Sequence, residues 1–218
     1  MWGSSARPGA AAPPELIGRL KYSLALLGVV AGYTWVLARF TPRWFANVAT
    51  AAVLAVSVWR AVRTGEWGLR GAALLPALRD AALFTAAAAT AMYLAGSALG
   101  TAHGRDNPGR YFALLVPWAA GQQFALQTVL LREAQAATSR GKGIALAAVV
   151  FAALHLPNPF LTVVTLLAAV AWCWIYDRHP NLLPLALSHA LLTFVIVCSF
   201  DPALTGRLRV GYAYLQLR

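Results

Sequence analysis

The sequence predicts an all-α, polytopic membrane helix bundle of seven or eight transmembrane helices. Hydrophobic residues make up 60% of the 218 residues, whereas a soluble domain has about 45–50%. Seven stretches approach the roughly 20 residues that cross a bilayer core, and they are continuously apolar rather than alternating, which disfavours a β-barrel. We expect a disordered N-terminal tail over residues 1–18, a transmembrane domain over 19–200 and a polar C-terminal tail over 201–218.

The seven stretches are separated by charged or turn-forming residues. They cover residues 22–38, 44–59, 81–99, 111–131, 144–155, 160–176 and 182–200. Residues 67–78 form a shorter apolar stretch with Gly71 and Pro76, which predicts an interfacial or re-entrant segment, or else an eighth crossing. Pro157 predicts that the fifth segment ends just after His155, because proline cannot continue a helix.

The net charge of +11 comes from 18 basic and 7 acidic residues. The basic residues lie at segment ends and in loops, where anionic headgroups attract them, so the expected partner is the lipid bilayer and not nucleic acid. With seven crossings, eleven basic residues share the side of the N-terminus and seven the other, which favours a cytoplasmic N-terminus. An eighth crossing would invert everything after it. The excess of arginine over lysine indicates a bacterium with a GC-rich genome, and hence the bacterial inner membrane.

Polar side chains interrupt three of the apolar segments. They are Gln122, Gln123 and Gln127 in the fourth segment, His155 in the fifth, four residues after Phe151, and His189 with Thr193 in the seventh. Residues four apart share a helix face, and unpaired amides in hydrocarbon cost several kcal/mol. Such groups either form hydrogen bonds between helices or mark a functional site. None of the seven carboxylates lies in the middle of an apolar segment.

The order of these residues resembles the motifs of the CPBP family, the intramembrane proteases named for CAAX-box and bacteriocin processing. Family members carry E-E-x-x-x-R on one helix, F-x-x-x-H on the next and H-x-x-x-N on a later one. The corresponding residues here are Gln122-Gln123-x-x-x-Gln127, Phe151-x-x-x-His155 and His189-x-x-x-Thr193. The resemblance covers about residues 110–200, and the upstream segments fit the multi-helix layout of the family.

The resemblance implies a catalytic role for three positions and a supporting role for four. The catalytic ones are Gln122, His155 and His189, and the supporting ones are Gln123, Gln127, Phe151 and Thr193. In the family, the first Glu is a general base for water, the second pairs with the Arg, and the histidines hold water, oxyanion or, in some proposals, a metal. Two histidines are few ligands for catalytic zinc, which usually has three, so we expect no cofactor, with a divalent metal as the less favoured alternative.

The substitution of glutamine for glutamate leaves open whether the chain is an enzyme. A Gln–Gln pair replaces a buried ion pair without the cost of desolvating two charges, but the Gln122 amide accepts no proton near neutral pH. His155 or His189 could replace it, since imidazole titrates near neutrality. The nearest carboxylate, Glu133, lies eleven residues beyond Gln122, roughly 16 Å along a helix, which is too far for a direct hydrogen bond.

Two functions therefore remain. The first is an intramembrane endopeptidase, with impaired catalysis, that acts on membrane-tethered peptides or C-terminal segments. The second is an inactive relative that serves as a membrane scaffold or accessory subunit and binds a membrane protein or peptide. A transporter is less favoured, because the apolar segments carry no relay of Asp, Glu or Arg.

Overall fold

A computed structural model describes residues 16–42 and 44–217, so almost all of the predicted disordered tail over 1–18 lies outside the described residues. The α-helices are α1 (Leu16–Arg19), α2 (Lys21–Ala31), α3 (Phe45–Thr64), α4 (Leu74–Ala98), α5 (Pro108–Phe124), α6 (Arg132–Ala137), α7 (Arg140–Ala153), α8 (Pro159–Arg178), α9 (Leu182–Ser199) and α10 (Gly211–Leu215). Two π-helical segments continue them: Gly32–Val36 extends α2, and Ala125–Leu131 joins α5 to α6. Short 3-10 turns cover Leu37–Arg39, Gly71–Ala73 and Gly206–Leu208.

The predicted all-α membrane bundle is confirmed. Across the described ranges, seven helical rods follow the seven predicted segments in order. Five are long and apolar enough to cross a membrane: Lys21–Arg39, Phe45–Thr64, Gly71–Ala98, Pro159–Arg178 and Leu182–Ser199. The rod formed by α5, the π-segment and α6 contains four glutamines, Gln122, Gln123, Gln127 and Gln135, and polar amides lower its hydropathy. The α7 rod has 14 residues, fewer than the roughly 20 that a full crossing needs.

Residues 67–78 do not form an eighth crossing. The stretch before residue 71 is a loop held by two backbone hydrogen bonds, from Arg70 to Pro180 at 3.1 Å and from Leu182 to Gly68 at 2.8 Å. The remainder belongs to α4, which begins at Leu74 and not at residue 81. Pro76 lies in the first turn of α4, where the missing N–H costs nothing because first-turn N–H groups have no helical acceptor.

The bundle is built around α9, which packs against both α4 and α5, while α7 packs against α8. The crossing of α4 and α9 is close at Gly96, where an added Cβ would lie 2.1 Å from the Ser199 carbonyl oxygen. Ser199 also accepts a hydrogen bond from the Thr101 hydroxyl at 2.7 Å through that oxygen. Glycine is therefore required at position 96 for the two rods to approach at this end.

The hairpin of α2 and α3 contacts the rest of the bundle through the π-segment Ala125–Leu131. Its first turn is held by Glu133, a buried residue whose carboxylate accepts hydrogen bonds from the backbone of Ser23 at 2.7 Å and Tyr22 at 3.3 Å. These N–H groups lack helical acceptors, and a carboxylate also complements the positive end of the helix dipole. Glu133 is thus engaged in docking α2.

The C-terminal segment folds back onto the bundle. The helix α10 packs against Gly32–Val36 and Leu37–Arg39, the end of the first rod. The Arg39 guanidinium lies 4.5 Å from the centre of the Tyr212 ring, a cation–π arrangement. The described part of the predicted polar tail is therefore joined to the end of the bundle at which α7 ends and α8 begins.

Candidate active site

A cavity of about 760 Å³ lies inside the bundle. Its lining is mostly aliphatic and aromatic and comes from α2, α3, α4, α5, α7, α8 and α9, from both π-segments, and from the C-terminal segment at Leu208 and Val210. Five of the residues singled out from the sequence border it: Gln122, Phe151, His155, His189 and Thr193. The described residues that line the cavity include no Asp, Glu, Lys or Arg. The structure thus brings one amide, two imidazoles and the Thr193 hydroxyl to the wall of a mostly apolar chamber, whose lining also includes Tyr33, Thr34, Thr50 and Thr165.

Gln123 and Gln127 lie behind this wall. Both side chains are fully buried, and the Gln127 amide donates a hydrogen bond to Gln123 Oε1 at 3.0 Å. They share a face, as their spacing predicts, although the chain between them enters the π-helical segment at Ala125. The Gln123 amide nitrogen in turn lies 3.4 Å from His189 Nδ1. The two glutamines therefore support His189 and do not border the cavity themselves.

This chain of amides sets the tautomer of His189. Because Gln123 Oε1 accepts from Gln127, the Gln123 NH₂ group is the one that faces His189 Nδ1. An amide NH₂ only donates, so Nδ1 is the acceptor and the proton of the neutral ring is on Nε2. His189 therefore offers an N–H donor from its other nitrogen.

His155 has the opposite tautomer. Its Nδ1 lies 2.8 Å from the carbonyl oxygen of Phe151, and a carbonyl only accepts, so Nδ1 carries the proton and Nε2 has a free lone pair. His155 follows the end of α7 at Ala153 and stands in the turn before Pro157. The turn exposes the ring to the cavity, whereas a residue inside the rod would be restricted to one helix face.

Aromatic rings enclose the His189 imidazole. The ring centre lies 4.6 Å from that of Trp172, 5.2 Å from Trp118 and 6.3 Å from Phe151. Phe151 is also 5.1 Å from the His155 ring, so one phenyl group contacts both histidines. This packing holds both imidazoles in place and restricts access of water to them.

The sequence reasoning missed two of these residues. Trp172 donates a hydrogen bond from Nε1 to the Ser188 hydroxyl at 3.0 Å, and that hydroxyl lies 2.6 Å from the Thr85 hydroxyl. Trp118 could have been found, because it precedes Gln122 by four residues and so shares its face. Trp172 gave no such signal, since tryptophans in membrane proteins favour the interfaces and this one is buried.

The side-chain oxygen of Gln122 is free to accept a hydrogen bond. Its Oε1 is buried and has no hydrogen-bond partner among the described residues. A buried polar atom without a partner is costly, and in native proteins water or a ligand usually satisfies it. Gln122 Oε1 can therefore accept a hydrogen bond from a water or from a peptide N–H in the cavity.

The site does not fit a catalytic zinc ion. The donor set at the cavity consists of the imidazoles of His155 and His189, and zinc in catalytic sites usually has three protein ligands. Across the described ranges, no group of three or more His, Cys, Asp and Glu side chains is arranged to hold a metal ion.

Comparison with known proteins agrees with the resemblance seen in the motifs. A family model described as type II CAAX prenyl endopeptidase Rce1-like matches residues 110–195. This segment contains all three motifs, from Gln122 to Thr193. No curated protein and no solved structure matches the chain.

Proposed function

We propose that the chain is an endopeptidase for membrane-tethered peptides or C-terminal segments, because residues 110–195 match the family model of Rce1-like type II CAAX prenyl endopeptidases. At the level of the family, it is a multi-pass membrane protein of an intramembrane endopeptidase type. The observation that carries the proposal is that Gln122, His155 and His189 border one cavity.

The proposed base is His155. Its free Nε2 lone pair takes a proton from a water whose oxygen attacks the scissile carbonyl carbon, and Gln122 Oε1 accepts the second hydrogen of that water. His189 Nε2–H donates to the carbonyl oxygen as it becomes negative. The proton held by His155 then passes to the leaving amine as the C–N bond breaks. One turnover thus consumes one water and one peptide bond and returns His155 to its neutral form.

Catalysis should be weaker than in relatives with the glutamate pair. When His155 takes up a proton, the positive charge has no carboxylate in the cavity to offset it, because the described lining residues include no Asp or Glu. Charge that develops in an apolar site is costly without a partner. Gln122 contributes orientation of the water and not proton transfer.

The test is cleavage of a lipid-tethered peptide by purified protein in nanodiscs. Wild type should cleave slowly, and Gln122→Glu should raise the rate by about 10²-fold or more, the usual contribution of a positioned general base. His155→Ala should abolish cleavage by wild type, and His103→Ala, in an exposed loop, is the matched control that should leave it unchanged. Cleavage that survives His155→Ala rejects the mechanism.

The second candidate is a non-catalytic relative that binds a membrane segment in the same cavity. The observation in its favour is the lack of a carboxylate among the described lining residues. In that case the peptide should bind to wild type without being cleaved, and His155→Ala should leave the dissociation constant unchanged. A cleaved peptide product from wild type would exclude this candidate.

The cellular location is proposed as the bacterial inner membrane. The excess of arginine, 16 of the 18 basic residues, supports a bacterial source with a GC-rich genome. Fractionation of the native organism, with the protein in the inner-membrane fraction, would test this location.

A further inference from the structure

The C-terminal segment lies at the end of the cavity where His155 stands. Leu208 and Val210 border the cavity together with Leu154 and His155. These two residues come more than 50 positions after His155 in the chain, and neither belongs to the motifs. The segment around them therefore supplies part of the wall next to the proposed base.

Asn158 joins this segment to the His155 turn. It is fully buried, and its Oδ1 accepts a hydrogen bond from Leu161 N at 3.1 Å, which caps α8. Its Nδ2 donates both hydrogens to carbonyl oxygens of the C-terminal segment, Thr205 at 2.8 Å and Arg209 at 3.0 Å. Both donor hydrogens of the side chain are thus used, and two of its three bonds reach residues about 50 positions away.

A second link runs through Gly211. Its N–H donates to the carbonyl oxygen of Leu156, the residue after His155, at 2.8 Å. An added Cβ at Gly211 would lie 2.6 Å from the carbonyl oxygen of Thr34, so the segment is held closely between the first rod and the His155 turn. The backbone of Gly211 has a φ of +57°, which also favours glycine.

The backbone conformation of Leu208 indicates that contacts with the rest of the bundle determine the course of the C-terminal segment. Its φ is +55°, in the left-handed region that residues other than glycine seldom adopt. Such conformations persist where neighbouring contacts over-determine them, and they cluster at functional sites. The bonds from Asn158 to Thr205 and Arg209 lie on both sides of Leu208 and direct its side chain to the cavity.

We propose that residues 205–212 form a strap that positions His155 and closes its end of the cavity, with Asn158 as the positioning residue. His155 lies beyond the end of α7, where its turn is held by short-range backbone bonds such as His155 N to the Ala152 carbonyl oxygen at 2.9 Å. The strap adds long-range bonds to this turn at Leu156 and Asn158. The effect of the strap on catalysis rests on the proposed function, whereas its effect on the His155 turn does not.

The chain offers a matched pair of variants. Asn158→Asp keeps the size and the α8 cap but replaces both donated hydrogens by a carboxylate facing two carbonyl oxygens. Asn181 caps α9 in the same way, through Leu183 N at 3.1 Å, and donates to the Arg70 carbonyl oxygen at 3.0 Å, at the opposite end of the bundle. Asn181→Asp is therefore the control for the chemistry of the substitution.

The first measurement is amide hydrogen exchange of residues 203–215 in nanodiscs. Asn158→Asp should raise their exchange rate about tenfold or more, the effect of losing two backbone-directed hydrogen bonds. Asn181→Asp should leave it within about twofold of wild type. The proposal is overturned if Asn158→Asp leaves these rates unchanged or if both variants raise them equally. Should Asn158→Asp fail to fold, Gly211→Ala, which displaces the strap from Thr34, is held to the same criterion.

The second measurement is the ¹⁵N chemical shift of the His155 imidazole. Wild type should show the proton on Nδ1, and Asn158→Asp should give averaged shifts of a ring that has lost its fixed orientation. Unchanged shifts in a variant with a released strap would reject the positioning role. If wild type cleaves the tethered peptide, kcat should fall in Asn158→Asp with KM nearly constant. If wild type does not cleave the peptide, the proposed function is rejected. The amide exchange rates and the imidazole chemical shifts then still test whether the strap positions His155.

Discussion

The side chains that orient His189 by hydrogen bonds, Gln123 and Gln127, are uncharged. Gln127, Gln123 and His189 form a buried series in which each hydrogen-bond donor faces an acceptor, and both glutamines are fully buried. Where the CPBP motif has a glutamate and an arginine, this chain has two amides. An amide pair avoids the desolvation of two charges yet still orients the imidazole. We therefore expect that the orientation of His189 requires complementary side chains at positions 123 and 127, and that either a Gln–Gln or a Glu–Arg pair can provide it.

A double-mutant cycle at these positions should show strong coupling. Gln127→Arg places an unpaired charge in a buried site and should lower stability by about 3–5 kcal/mol, and Gln123→Glu should do the same. The double variant restores an ion pair and should regain most of that loss. Thermal unfolding in one detergent measures all three, with Gln216→Arg, at an exposed position, as the control. Additive losses in the double variant would refute the coupling.

At the scale of elements, one carboxylate docks the first rod. The Glu133 carboxylate accepts from the backbone of Tyr22 and Ser23, and Arg19 donates to the Ala136 carbonyl oxygen at 3.0 Å on the same turn. Since α2 and α3 form one wall of the cavity, these contacts also hold that wall in place. The only acidic residue near the glutamines in sequence thus has a structural task.

Glu133→Gln should lower the free energy of unfolding by about 1–2 kcal/mol, because the helix loses a charged cap at its N-terminus. The amide still accepts one hydrogen bond, so Glu133→Ala should cost more. Chemical unfolding in mixed micelles measures the difference, and Asp106→Asn, in an exposed loop, provides the control. An unchanged free energy in Glu133→Ala would show that the cap does not hold the hairpin.

Local patterns predicted the rods, and long-range contacts account for what they missed. The apolar runs located the rods that carry Gln122 and His189, and Pro157 located the end of the rod before His155, because these signals act within a few residues. The helix itself ends at Ala153, two residues earlier than expected. The early start of α4 was missed because Pro76 reads as a helix breaker unless it occupies a first turn. The strap was missed because the bonds from Asn158 to Thr205 and Arg209 join residues 47 and 51 positions apart, which no periodicity encodes.

At the scale of the whole molecule, basic residues concentrate at one end of the bundle. In the described ranges, the end where α2 begins has ten: Arg19, Lys21, Arg60, Arg63, Arg70, Arg79, Arg132, Arg140, Lys142 and Arg178. The opposite end has five: Arg39, Arg105, Arg110, Arg207 and Arg209. With residues 67–78 excluded as a crossing, the rods alternate regularly between these ends. His155 and the strap lie at the end that is poorer in basic residues.

The charge asymmetry predicts that the basic end is cytoplasmic and that His155 lies toward the opposite face. In a background of Cys173→Ala and Cys198→Ala, a membrane-impermeant maleimide added to intact cells should label Gly104→Cys. It should label Ser139→Cys, in the loop before α7, only after permeabilisation. The physical reason is that short loops rich in Lys and Arg are retained on the cytoplasmic side during insertion. The reverse labelling pattern would place His155 toward the cytosol, and substrates would then have to approach the strap from that side.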